Sequence, residues 1–182
     1  MNKVREYFCK MKGTGQCPPR VSTSEIFWSW LGAFVGIIAV GLLHYRLVDG
    51  TGLLLIVGSF GASAVLIYGA PAGPLSQPRN LVGGHVLSAL IGVVCYQLLT
   101  PHLWLAAALA VATAIALMHL TRTLHPPGGA TALIAVIGGP EIHDLGYWYI
   151  LLPVGSGALI MLLVALLINN IPASRRYPAF WV

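Results

Sequence analysis

The chain has 182 residues, 57% of them hydrophobic and only 8% charged, with a net charge of +5 and a mean hydropathy of +0.82. A soluble domain carries about 25% charged residues, so these values exclude an ordinary soluble fold and point to an integral membrane protein in contact with a lipid bilayer. The basic residues flank apolar runs and form no patch with interleaved aromatics, which excludes nucleic acid as a partner.

In chain order, residues 1–22 are a basic arm carrying Lys3, Arg5, Lys10, Lys12 and Arg20. The apolar run that follows is too long for the core of a cleavable signal and has no cleavage pattern. Ser22-Thr-Ser-Glu25 is a capping box, and it predicts a helix over 23–43, followed by a turn at 44–50. A second helix is expected over 53–68, weakened in the middle by Gly58-Ser-Phe-Gly61. The loop 70–80 holds Pro71, Pro74 and Pro78 and cannot be helical throughout. Helices are then expected over 81–99 and 102–124, and a short one over 129–137 crosses only about half a bilayer or re-enters. A last helix over 147–170 carries Pro153 in its first third. The fold class is therefore an all-α bundle of six membrane segments, 23–170, between a cytoplasmic arm and a cytoplasmic tail, 171–182. Six crossings place Lys3, Arg5, Lys10, Lys12, Arg20, Arg79, Arg122, Arg175 and Arg176 on the cytoplasmic side and only Arg46 on the other, as the positive-inside rule requires. Trp28, Trp30, Tyr177 and Trp181 are expected to anchor the inner edge, and Tyr45, Trp104, Tyr147 and Trp148 the outer.

Small residues recur every fourth position at Gly32/Gly36, Gly84/Ser88/Gly92 and Ala108/Ala112/Ala116. Such stripes let helices approach closely in lipid and by themselves predict packing only. Two words repeat: Gly61-Ala-Ser-Ala-Val-Leu-Ile67 resembles Gly129-Ala-Thr-Ala-Leu-Ile-Ala135, and Ser88-Ala-Leu-Ile91 resembles Gly157-Ala-Leu-Ile160. Two three-helix halves are expected from this. An odd number of crossings per half makes them inverted repeats, an arrangement that points to a transporter site where helices are interrupted.

The sharpest interruption is Thr121-Arg-Thr-Leu-His-Pro-Pro-Gly-Gly-Ala-Thr131. Pro126 and Pro127 should stop the incoming helix near Leu124, and Gly128 and Gly129 let the chain restart. Broken backbone at membrane depth survives only where protein or a water-filled cavity satisfies it. A helix starting at Gly129 would present unpaired N–H groups, with Thr131 in its first turn. Gly61 and Ser63 would do the same if the second helix is also broken. Two such ends suit a small anion. The bland alternative is a proline–glycine kink that only shapes the bundle.

His125 could donate to an anion, move a proton or merely cap a helix. His85 lies inside a helix, where ionisable groups usually face a cavity. Arg79, beside Asn80, and Arg122 are read either as attracting anions or as snorkelling flank charges. His85, His119 and His125 lack metal-ligand spacing, and the acids lie in flanks and loops, so no metal, no cofactor and no enzyme activity are expected. Cys9, Cys17 and Cys95 are expected to be free thiols. His44, His102 and His143 fall in predicted outer loops and receive no role.

Gln77-Pro-Arg-Asn80, Gly84-His85 and His125-Pro-Pro127 with the following Gly-Ala-Thr-Ala resemble the HPP family of integral membrane proteins over almost the whole chain. The resemblance implies a small membrane protein of bacterial inner membranes or plastid envelopes, linked in some members to nitrite transport. It also implies four spans, in conflict with the six read from hydropathy. Both lines lead to a transporter or channel for a small monovalent anion, nitrite first and nitrate or a similar ion next, assembled as a homo-oligomer. Its expected site is His125, Pro126, Pro127, Gly128, Gly129, Thr131, Ser63, Gly61, Arg79, Asn80, His85 and Arg122. The alternatives are a non-transporting membrane subunit of a hetero-complex and a metal-dependent membrane enzyme.

Overall fold

The structure is a computed structural model that describes residues 3–13, 15–47 and 54–182. Part of the expected 44–50 turn and the side chains of 44–57, among them His44, Tyr45 and Arg46, lie outside the described residues. The described residues form helices and turns: α1 (Lys3–Lys10), α2 (Thr23–Leu47), α3 (Leu54–Gly69), a 3-10 turn (Pro74–Ser76), α4 (Pro78–Leu99), α5 (Leu103–Leu120), α6 (Pro127–Ile137), α7 (Pro140–His143), a π-helical stretch (Ile150–Gly155) and α8 (Ser156–Ile168). Among them, Thr23–Leu43, Pro78–Leu99, Leu103–Leu120 and Ile150–Ile168 are long and apolar enough to cross a membrane, and Gly58–Gly69 and Pro127–Ile137 are shorter apolar helices.

The ends of these helices follow from local chemistry. The Ser22 hydroxyl accepts the Glu25 N–H at 3.2 Å, so the expected cap opens α2. Helix α5 stops at Leu120, four residues before the expected end, and the prolines do not stop it. Arg122 adopts a left-handed φ of 57°. Its N–H then donates to the His119 carbonyl and the Thr123 N–H to the Met118 carbonyl, the paired closure of a helix end. Residues 121–126 are therefore a non-helical link, and Pro127 starts α6, where its missing N–H costs nothing. Pro153 widens the last span into the π-helical stretch.

The expected break in the second helix is absent. Helix α3 runs unbroken through Gly58–Gly61, so Gly61 is not the start of a helix. A helix that keeps its own hydrogen-bond ladder is favoured in hydrocarbon over one that opens, and two glycines do not overturn that preference.

Two of the three small-residue stripes are seams. An added Cβ at Gly84 would lie 2.6 Å from the His125 Cβ, one at Gly128 would lie 2.6 Å from the Ser88 hydroxyl, and one at Gly92 would lie 2.6 Å from the Ala132 carbonyl. Helix α6 thus lies along α4 in the same direction. The Tyr68 ring lies across Gly32 and Gly36, and its hydroxyl donates to the Met161 carbonyl. On α5 the stripe is shifted: Ala106, Ala110 and Ala114 are buried, whereas Ala108, Ala112 and Ala116 are exposed.

One end of the bundle is stitched together by polar contacts. The Arg175 guanidinium donates to the Glu25 carboxylate, Ser29, Asn169 and the Tyr68 carbonyl. Tyr177, expected as a membrane anchor, is instead buried, and its hydroxyl donates to the Ser76 carbonyl. Burial raises its pKa above the usual tyrosine range. The start of α2, the ends of α3, α5 and α8 and the start of α4 all meet at this end. At the other end of α4, Tyr96 stacks on His143.

Candidate functional site

The link between α5 and α6 is held by the Gln77-Pro-Arg-Asn80 motif at the start of α4. Arg79 donates to the Thr121 carbonyl at 2.7 Å, covering the open end of α5. Asn80 donates to the Leu124 carbonyl at 2.8 Å. Gln77 donates to the carbonyls of Pro71 and Gly73 and accepts the Ala179 N–H, joining the preceding loop to the C-terminal tail. Pro78 begins α4 at the position proline favours. The two sequence motifs are thus the two halves of one brace.

Inside that brace lies a buried polar chain. Ser63 of α3, His85 of α4, His125 of the link and Thr131 of α6 are all fully buried. Thr131 Oγ1 is 2.7 Å from His85 Nδ1. His85 Nε2 is 2.7 Å from Ser63 Oγ, and Ser63 Oγ is 2.9 Å from His125 Nε2. His125 Nδ1 is 2.8 Å from the Leu75 carbonyl oxygen. The imidazole rings meet edge to face with centroids 5.0 Å apart, and the Phe60 ring covers His85. The Tyr149 hydroxyl donates to the Thr131 carbonyl at 2.9 Å.

The Leu75 carbonyl fixes the direction of every bond in this chain, because a carbonyl only accepts. With both rings neutral, His125 donates through Nδ1 and accepts at Nε2. Ser63 must then give its single proton to His125, so His85 donates to Ser63 through Nε2. His85 Nδ1 is left as an acceptor and takes the Thr131 proton. Four bonds from three helices and a link are set by one backbone oxygen.

Of the expected site residues, the fold brings Ser63, His85, His125 and Thr131 into direct contact, with Pro127 and Gly128 beside them. The first amides of α6 are already used: Gly128 donates to the His125 carbonyl and Gly129 to the Pro126 carbonyl. Hydrogen-bonding capacity at the break therefore lies in side chains. Pro126 is exposed. Nothing lies within 4 Å of a Cβ built on Gly61, which stands apart from the chain. Arg79, Asn80 and Arg122 belong to the brace. His119 is exposed on α5, and no group of three or more His, Cys, Asp or Glu suited to a metal occurs among the described residues. At the stitched end a hollow of about 280 Å³ is lined by Glu25, Ala70, Gly73, Arg175 and Arg176 among others.

Sequence reasoning missed the Leu75 carbonyl, Tyr149 and the Arg175 cluster. A tyrosine three residues beyond Gly146 gives no signal, and Arg175 resembles any flanking charge.

A family profile described as HPP, transmembrane region, matches residues 18–178. Two transmembrane proteins of Dictyostelium discoideum are 50% and 48% identical to the chain over 97% and 98% of its length. The chain spans 57% and 64% of those relatives, and their descriptions name no substrate. No solved structure matches.

Proposed function

The chain belongs to the HPP transmembrane family, and from that premise we propose that it carries a small monovalent anion across a membrane, nitrite first. The observation that supports this reading most is the buried Thr131–His85–Ser63–His125 chain at a helix break. Polar groups at that depth are costly and mark pathways. This set carries four N–H and O–H donors, engaged with one another and with Leu75 at rest, and contains no carboxylate. The four carboxylates of the described residues lie in α1, at the foot of α2 and around α7, so none of these four sits at the chain to repel an anion. Arg122 and Arg176 add exposed positive charge at the stitched end, where an anion would approach.

In this reading all six apolar helices cross, and the chain is two inverted halves. The packing supports it. Helix α2 packs on α3 and α8, α5 on α6 and α4, α3 on α6 and α8, and α4 on α6 and α8. Exchanging α2, α3 and α8 for α5, α6 and α4 turns this set of neighbours into itself. The matched words make Ser63 the counterpart of Thr131, and these two hydroxyls occupy the two nitrogens of the same ring, His85.

Uptake of nitrite, nitrate and chloride by purified protein in liposomes tests the proposal, with protein-free vesicles as the blank. A protein-dependent flux is expected, and His125→Ala and His85→Ala should each reduce it by roughly a hundredfold. A folded protein that moves none of these anions overturns the reading. Stable co-purification with a second membrane protein would then favour the subunit alternative.

A further inference from the structure

In the resting register every donor and acceptor of the chain is matched, yet its α6 end is not locked. The Thr131 hydroxyl lies 2.7 Å from His85 Nδ1 and 3.4 Å from the Pro127 carbonyl oxygen, and it can donate to either. A proton added at His85 Nδ1 turns the hydroxyl to Pro127, and its oxygen then accepts from the new N–H. The charge now sits on His85, which still donates to Ser63 through Nε2. If His85 passes that proton to the Ser63 oxygen while Ser63 gives its own to His125 Nε2, the charge moves to His125. In this third register His125 donates to Leu75 and Ser63, Ser63 donates to His85 Nε2, and His85 donates to Thr131. All three registers keep every polar atom partnered. Only N–H and O–H bonds form or break, and no heavy atom has to move.

The surroundings favour such use. An anion stripped of water needs a compensating charge, since an unpaired buried charge costs several kcal/mol. Among the groups facing the chain, α3 contributes Ser63 and the Phe60 ring, α4 His85, α5 Met118, the link His125 and α6 Thr131. The helical residues just before the π-helical stretch contribute the Tyr149 phenol, which is occupied as a donor to the Thr131 carbonyl. Arg79 is bound at the end of α5 and Arg175 at the stitched end. Of these groups, the imidazoles are the ones with a ring nitrogen that can take up a proton.

We propose that Thr131, His85, Ser63 and His125 form a relay that takes up one proton from the side where the anion enters and releases it with the anion on the other, in electroneutral co-transport. The proposal rests on the anion-carrier reading. Its geometry has a test of its own, by nitrogen NMR of histidine-labelled protein without anion at alkaline pH. His85 should carry its proton on Nε2 and His125 on Nδ1, and the opposite tautomers would overturn the relay whatever the protein transports.

Coupling is read in liposomes with a pH-sensitive dye sealed inside, nitrite outside and protein-free vesicles as the blank. The interior should acidify as nitrite enters, with no net current. Ser63→Ala and Thr131→Val should slow the linked acidification by roughly tenfold or more, and Thr131→Ser, which keeps the hydroxyl, should restore it. Nitrite that enters with a current and without acidification overturns the relay and leaves the carrier standing. Nitrite that does not enter overturns the carrier reading, and the coupling falls with it.

Discussion

At Arg122 a side chain occupies a left-handed backbone that glycine adopts without strain. Arg122→Gly should therefore stabilise the protein by about 0.5–1 kcal/mol, seen as a higher midpoint of thermal unfolding in detergent. If the exposed guanidinium also draws anions, the same variant should take up nitrite more slowly at low concentration and normally at saturation. Stability and uptake thus separate the two roles of one residue. The residues that carry the site differ in how visible they were. His85 and His125 stand out because histidine is rare within apolar runs. Ser63 was reached through an expected break in the second helix that α3 does not have. The acceptor that orients them all was invisible, because the Leu75 carbonyl is backbone and its position depends on a loop folding back from 50 residues away.

The seam between α4 and α6 makes a prediction for the helices. Gly84→Ala forces a methyl group to within 2.6 Å of the His125 Cβ and 2.8 Å of the Thr123 carbonyl. The helices must part, at a cost of about 1–3 kcal/mol, and His125 should be drawn away from Ser63. Gly61→Ala, in the unbroken interior of α3 with open space around it, should instead raise stability by about 0.5–1 kcal/mol. Thermal unfolding of the pair checks both, and a loss of stability in the Gly61 variant would restore the case for a broken helix. The six apolar helices were legible from apolar runs and proline positions, α1 and α7 were not, and the starts of α4 and α6 differ from expectation by two or three residues. The buried face of α5 was not legible. Its alanines form two stripes of the same composition, and only contact with α4 and α6 decides that Ala106, Ala110 and Ala114 turn inward.

Across the molecule, Arg175 ties three helices and the tail through all five of its N–H groups, and its side chain is only 2% exposed. Arg175→Met should cost about 2–4 kcal/mol, because it strands buried acceptors and the Glu25 carboxylate. A fall of that size in the denaturation midpoint, with little recovery in Arg175→Lys, is expected because the ammonium lacks the planar fork. Charge placement in the sequence correctly gathered Arg79, Arg122 and Arg175 at one end, although it read Arg175 as a free flank charge. The proposed inverted halves bear on the direction of transport. With Ser63 on one side of the His85 ring and its counterpart on the other, such a carrier can present its site to either face, even though its arginines gather at one end. Vesicles loaded with nitrite should empty as readily as unloaded ones fill, and the gradients on either side, rather than the protein, decide between import and export.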